Sequence, residues 1–263
     1  MTFVKNSSLS LRGIAGIFLF LILWEILIRF LIKFDNLPAP SAILFSWFDL
    51  LSLKQYWEEI AHTLFAALLG WTIASVAGIF LGLSLGLSKT FYKYTFTSIE
   101  VMRPWPGVAF APIGLLLFGF SLKMELLVII LPALWPVVVN TMGGIVNIPK
   151  SLYEVVASLR LTNFAKIYKV FIPSAKASIL VGLRISLSLS IIMAVVAEMI
   201  GSPNGIGYAI IREQQAMKPT NMFAYIFTIA LINVFINYLL SKIVNQLSPG
   251  KSSSRLNQRV LAQ

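Results

Sequence analysis

The sequence contains no cysteine and a single histidine, His62. Without thiols there is no disulfide, no thiolate metal site and no cysteine nucleophile. One imidazole leaves no histidine cluster for zinc or for a proton relay, so no metal site is expected. Charge is scarce too: 12% of the 263 residues are Asp, Glu, Lys or Arg, and only ten of them are acidic. A soluble domain carries about 25%. Catalytic motifs are missing as well. There is no Gly-x-Ser-x-Gly, no His-Glu-x-x-His, and no pair of carboxylates in a plausible cleft. Gly250-Lys251-Ser252 mimics the end of a phosphate loop, but Asn245 stands where its first glycine belongs and Pro249 precedes it instead of a strand. No catalytic residue and no cofactor are expected in this chain.

What fills the space is apolar: 58% hydrophobic residues and a mean hydropathy of +0.85. The composition points to an all-α, polytopic membrane protein. Runs long enough to cross a hydrocarbon core of about 30 Å number six, at roughly 14–32, 64–87, 97–118, 125–146, 178–200 and 223–244. The connections are mostly short, so one transmembrane domain over 1–263 is expected. Lys5 and Arg12 precede the first run as in a signal peptide. No small-x-small cleavage site follows, and Arg29 and Lys33 close the run, so a retained helix is expected.

The net charge of +11 does not indicate nucleic acid, because the cations lie between apolar runs rather than on one folded face. With the N-terminus inside, 15 of the 21 lysines and arginines fall on inner segments. This bias sets both termini and the 151–176 segment in the cytoplasm. The stretches 34–63 and 202–221 then face outward.

The polar interruption SLYEVVASLRLTNFAKIYKVFIPSAK, Ser151 to Lys176, breaks the apolar pattern. Leu152, Val155, Val156 and Leu159 form one stripe at helical period, and Phe164, Ile167, Tyr168 and Phe171 form another. Ser151 with Glu154 matches a capping box. Thr162-Asn163 offers a stop and an N-cap, and Pro173 should end or bend the second helix. Arg160, Lys166, Lys169 and Lys176 keep the segment out of lipid, at roughly 2.5–3.5 kcal/mol per charge at the bilayer centre. An amphipathic helix–turn–helix lying on the inner face is expected.

Within the runs, Gly70, Ala74, Gly78, Gly82 and Gly86 form a strip of small residues that lets a neighbouring helix approach closely, in the same subunit or across a dimer seam. The third run begins with RPWPG, Arg103 to Gly107, and the fourth contains Pro132 and Pro136. These prolines suggest a solute pathway along both, or simple kinking for packing. Intramembrane charges are functional candidates: Glu25, Arg103, Arg184 and Glu198. Arg103 has Glu100 as a local partner, Arg184 is near enough to the surface to snorkel, and Glu25 reads as an interhelical anchor. Ser186, Ser188 and Ser190, with Asn233 and Asn237, either line a conduit or bond between helices. The pathway candidates are therefore Arg103, Pro106, Asn140, Arg184, Ser186, Ser190 and Glu198.

The 151–176 segment resembles the EAA loop of the membrane subunits of bacterial ATP-binding-cassette importers. Glu154 matches the glutamate, Val156 and Ala157 stand around the alanines, and Phe171-Ile172-Pro173 matches the close; Arg160 occupies the place of the usual glycine. Leu37-Pro38-Ala39-Pro40-Ser41, Met102-Arg103-Pro104 with Pro106, Phe118-Gly119, Pro136 with Asn140-Thr141, and Ala197-Glu198-Met199-Ile200-Gly201 leading to Asn204-Gly205-Ile206-Gly207-Tyr208 extend the likeness. Together they look like the nitrate/sulfonate/taurine branch of type I importer permeases, over about 37–245.

The resemblance implies a transport subunit rather than an enzyme. Glu154, Val156, Ala157, Ser158, Arg160, Leu161 and Thr162 would contact a separate ATPase, and 164–171 would pack the hairpin back onto the permease. It implies two ATPase subunits carrying ATP and magnesium, a second permease copy, and an extracytoplasmic solute-binding protein in a prokaryotic inner membrane. Asn204, Gly205, Gly207 and Tyr208 would serve docking or an outer gate. The cargo implied is a small anion such as a sulfonate, taurine, nitrate or bicarbonate. The alternative is an ion-driven carrier or channel working alone, which would call for a midplane carboxylate or inverted repeats beyond Glu25.

Overall fold

The computed structural model describes residues 11–31, 36–159 and 162–247. All regular structure among them is helical. Two compact units result, Met1–Glu58 with Ala209–Ala230 and Glu59–Tyr208 with Leu231–Gln263.

In the first unit, α1 (Leu11–Ile26) runs into a π-helical turn (Leu27–Leu31). Helix α2 (Pro40–Leu51) starts with proline in its first turn, and its N-cap residue Ala39 has no side chain that could accept a hydrogen bond. Glu25 of α1 fills that role: its carboxylate accepts the Ser41 N–H at 3.0 Å and the Ser41 hydroxyl at 2.8 Å, and Arg29 pairs with it. The expected interhelical anchor is thus a cross-helix cap. Ser46 donates to Asn221 at 2.6 Å, and Asn221 donates to Glu213 at 3.0 Å, joining α2 to the start of α11 (Pro219–Leu247).

The second unit is built on α6 (Leu122–Val146) and α9 (Ile172–Gly201), which pack along their length. The small-residue strip lies on α3 (Lys54–Leu87) and meets α6 within this chain. A Cβ on Gly82 would come within 2.6 Å of the Thr141 Cβ and 2.8 Å of the Val138 carbonyl oxygen, and Gly70, Gly78 and Gly86 are closed off by Ile129, Val137 and Ile145. Dispersion over so close a seam replaces the missing hydrophobic drive between helices in lipid. Outward residues such as Val76, Phe80 and Leu116 stay exposed, as a lipid-facing surface requires.

Among the described residues, four helices are long and apolar enough to cross a membrane: Lys54–Leu87, Leu122–Val146, Phe164–Gly201 and Pro219–Val244. The expected run 97–118 is not one rod. Helix α4 (Lys89–Met102) stops at Arg103, and a 3₁₀ turn (Gly107–Phe110) leads into α5 (Ala111–Phe118), the pair being bent by 85°. Pro104 and Pro106 cause the break, since neither donates a hydrogen bond and each disfavours helix in the residue before it. Counted as one span, this pair makes a fifth. The expected run 14–32 is occupied by α1 and its π turn as far as Leu31.

The connecting stretches are more helical than the run lengths suggested. They hold α2, the first turns of α3 and α10 (Gly205–Gln215). Each is too short or too polar to read as a span.

Candidate functional sites at the two ends of the α6–α9 pair

Between α6 and α9 the chain forms α7 (Lys150–Ser158) and α8 (Asn163–Lys166), then a π-helical turn (Ile167–Phe171). Helix α7 opens at Lys150, behind Pro149, one residue before the expected capping serine; the Leu152 N–H bonds the Pro149 carbonyl at 3.0 Å. Proline is well suited to that place because a helix start has no use for its missing N–H. Thr162 acts as expected: its hydroxyl accepts the Ala165 N–H at 3.3 Å. Arg160 and Leu161, both expected at the ATPase contact, lie outside the described residues.

Pro173 does not stop the helix; it lies in the first turn of α9, directly after the π turn. The chain is helical from Phe164 to Gly201, and the wide π turn just before the proline relieves the clash of its ring with the preceding turn. That turn also shifts the helical phase. Ile167, Val170 and Phe171 pack with Leu152 against Ile145, Ile148, Ala175 and Ile179. Phe164 and Tyr168, which were expected to pack inward with them, are 80% and 67% exposed, and Leu159 of the first stripe is 61% exposed. Val156 is buried, whereas Glu154, Ser158 and Thr162 are exposed; Ala157 lies within α7. The hairpin is held by one face and presents three large side chains on another.

The opposite end of the same pair is polar and closed. Glu198, in the last turn of α9, is 1% exposed. Its Oε2 accepts the Thr63 hydroxyl of α3 and the Gly207 N–H of α10, both at 2.9 Å, and Thr63 Oγ1 accepts the Ile206 N–H at 2.9 Å. Glu198 and Thr63 therefore cap α10 from other helices. Gly205 has φ +93°, and a side chain there would occupy the space of the Glu198 carboxyl, so only glycine fits. Gly207 is similarly pressed against the Val195 carbonyl and Glu198. Asn204 and Tyr208 are at the surface. Beside Glu198 stands a second buried acid: Glu125, in the first turn of α6, takes the His62 Nε2 on both oxygens at 3.1 and 3.2 Å.

The other pathway candidates scatter. Arg103 and Pro106 flank the α4–α5 break and are exposed, as is Arg184. No ion pair joins Arg103 to Glu100 among the described residues. Ser186 and Ser190 are fully buried; the first donates to the Ala133 carbonyl at 2.6 Å, the second to the Ser186 carbonyl at 2.9 Å. Asn140 Nδ2 donates to the Pro136 carbonyl at 2.8 Å, with Gly182 of α9 packed against both residues. Gly107 approaches Pro132 in the same manner. Inside this unit the α6 prolines are notches filled by glycines.

His62, Thr63 and Glu125 were not singled out from the sequence as site residues. Their partners lie 63 to 143 residues away along the chain, so no local spacing announces them. The available signal was the presence of rare charges at the ends of apolar runs.

Residues 74–252 match the family described as binding-protein-dependent transport system inner membrane component. Among curated relatives, a Bacillus subtilis protein provisionally named aliphatic sulfonates transport permease SsuC is 32% identical over 196 residues, covering 74% of this chain and 71% of the relative. The formylaminopyrimidine transport permease ThiX of Halalkalibacterium halodurans is 28% identical over 246 residues, covering 94% and 98%. The nitrate import permease NrtB of Leptolyngbya laminosa is 30% identical over 194 residues, covering 74% and 69%. A solved structure of the MetNI methionine ABC transporter, in an inward-facing conformation, aligns with a TM-score of 0.60 at 17% identity over 73% of this chain and 93% of that one; this is a likeness of fold. With two thirds of its length matched, the chain belongs to the family of binding-protein-dependent transport system inner membrane components.

Proposed function

We propose that this chain is the membrane-embedded permease subunit of an ATP-binding-cassette importer, and that with a second copy it forms the path for a small anionic solute. The observation that carries this is the family match, because residues 74–252 take in the α6–α9 pair together with the hairpin between its members. The hairpin docks on a separate ATPase subunit, one per permease copy, through the exposed Glu154, Ser158, Leu159, Thr162, Phe164 and Tyr168. ATP and magnesium belong to that partner. The bias of lysine and arginine supports a cytoplasmic location for both termini and the hairpin. An external solute-binding protein meets the other face, near Asn204 and Tyr208.

The anion preference is supported by relatives named for sulfonates and nitrate and by the exposed Arg103 and Arg184. Glu198 is better suited to holding α10 than to touching cargo, since two neighbouring carboxylates repel an anion. The relative named for formylaminopyrimidine makes the cognate binding protein the place to decide the cargo.

Replacing Glu154 by Lys in the reconstituted importer tests the joint. Uptake falls at least about tenfold, equivalent to 1.4 kcal/mol of lost coupling, while the protein is produced normally and the ATPase still hydrolyses ATP. Unchanged coupled uptake overturns the placement of the joint. Uptake by this chain alone, driven by a proton or sodium gradient, overturns the importer assignment.

A further inference from the structure

The cluster His62, Glu125 and Glu198 carries more acid than its hydrogen bonds use. Glu125 is matched to His62 by a forked contact. Glu198 Oε2 has two donors, but its Oε1 is buried and has no hydrogen-bond partner among the described residues. A buried carboxylate oxygen without a donor or a cation is costly. Two carboxyl groups face one imidazole there, so the cluster offers more oxygen ligands than its hydrogen bonds use. One ligand atom from each of the three residues lies within 4.8 Å of the others.

We propose that His62, Glu125 and Glu198 form a binding site for one divalent first-row transition cation, with Zn²⁺ bound more tightly than Mn²⁺. The donors are the right kind, an imidazole nitrogen with carboxylate oxygens. Metal–ligand distances of about 2.1 Å set donors roughly 3.4 Å apart around a tetrahedral ion. The ligand atoms lie within 4.8 Å of one another, so binding draws them in by up to about 1.4 Å through carboxylate and imidazole rotation. The three ligands come from α3, α6 and α9, and Glu198 keeps its Thr63 and Gly207 contacts on the other oxygen. A bound ion would occupy the orphan oxygen and clamp the three helices at the end where α10 begins. The site does not depend on which solute is carried. A lone histidine argues against a histidine-rich site but not against one completed by two glutamates far apart in sequence.

The test uses the full chain in its transporter complex, free of any histidine tag and stripped with a chelator. Zn²⁺ and Mn²⁺ are titrated by calorimetry, and metal content is read by mass spectrometry. One Zn²⁺ per permease chain is expected, with a rise in melting temperature and weaker Mn²⁺ binding. His62→Gln, at the most accessible ligand, should weaken Zn²⁺ at least tenfold; Glu198→Gln should do the same, and the first variant suffices if the second does not fold. Equal Zn²⁺ binding by His62→Gln overturns the site, as does an unchanged melting temperature in Zn²⁺. A carboxylic acid infrared band that persists in Zn²⁺ and is lost in Glu198→Gln would show a proton there instead, and also overturns it.

Discussion

The two ends of the α6–α9 pair are built on opposite terms. At the hairpin, Leu159, Phe164 and Tyr168 stand exposed on an element anchored through Leu152, Ile167, Val170 and Phe171, with Val156 buried as well. At the far end, Glu125, Glu198 and Thr63 are sealed from solvent and bonded across three helices. The first end holds unrealised stabilisation: covering each large side chain contributes roughly 1.5–3 kcal/mol. The second is already bonded apart from the Glu198 Oε1, and loses about 1–3 kcal/mol for any partner removed. One end leaves apolar surface uncovered, and the other is closed. The position of each set follows from this: apolar groups can wait in water at modest cost, whereas buried carboxylates cannot wait without partners.

Four substitutions probe that contrast. The largest effect should come from Gly207→Val. Its new atoms meet the Val195 carbonyl and the Met199 nitrogen, which are backbone and cannot yield, so about 3 kcal/mol is lost. Folded yield and melting temperature both drop; normal behaviour would mean that the closed end is loose. Next is Thr63→Val, which keeps the shape and removes the hydroxyl shared by Glu198 and Ile206. A loss of about 2 kcal/mol, read as a lower melting temperature with affinity for the ATPase unchanged, would keep the two ends independent.

Phe164→Ala inverts the pattern. Melting of the isolated permease shifts by less than about 0.5 kcal/mol, while affinity for the ATPase falls about tenfold, or 1.4 kcal/mol. A large stability loss with intact docking would reverse the roles assigned to this end. The smallest effect belongs to Ser186→Ala, which gives up one buried bond to the Ala133 carbonyl. About 1 kcal/mol of stability goes and uptake persists. Uptake lost without any change in melting would put Ser186 back among the residues that line the path.

Much of the scaffold was legible because it rests on local pattern. The apolar runs mark the long helices, RPWPG marks the break after α4, and the glycine strip marks the α3–α6 seam. Thr162 could be read as a cap because capping acts over three residues. The π turn could not, since its wider hydrogen bonding follows from packing around Pro173 and leaves no sequence period. That one turn explains why Phe164 and Tyr168 depart from the stripe they share with Ile167 and Phe171. The Glu198 half of the closed end could be read from Ala197-Glu198 and Asn204-Gly205-Ile206-Gly207, which lie close in sequence. Its His62, Thr63 and Glu125 half could not, because only the fold brings α3 and α6 alongside.

The uninterrupted helix from Phe164 to Gly201 is 38 residues long, about 57 Å at 1.5 Å per residue. A bilayer core takes up only about 30 Å of that. Nearly half of the rod therefore stands clear of the lipid, and a tilt of about 5° imposed on it sweeps the far tip through roughly 5 Å. The π turn at Ile167–Phe171 does not break the helix, so a small turn of the handle is carried along the rod to the other end.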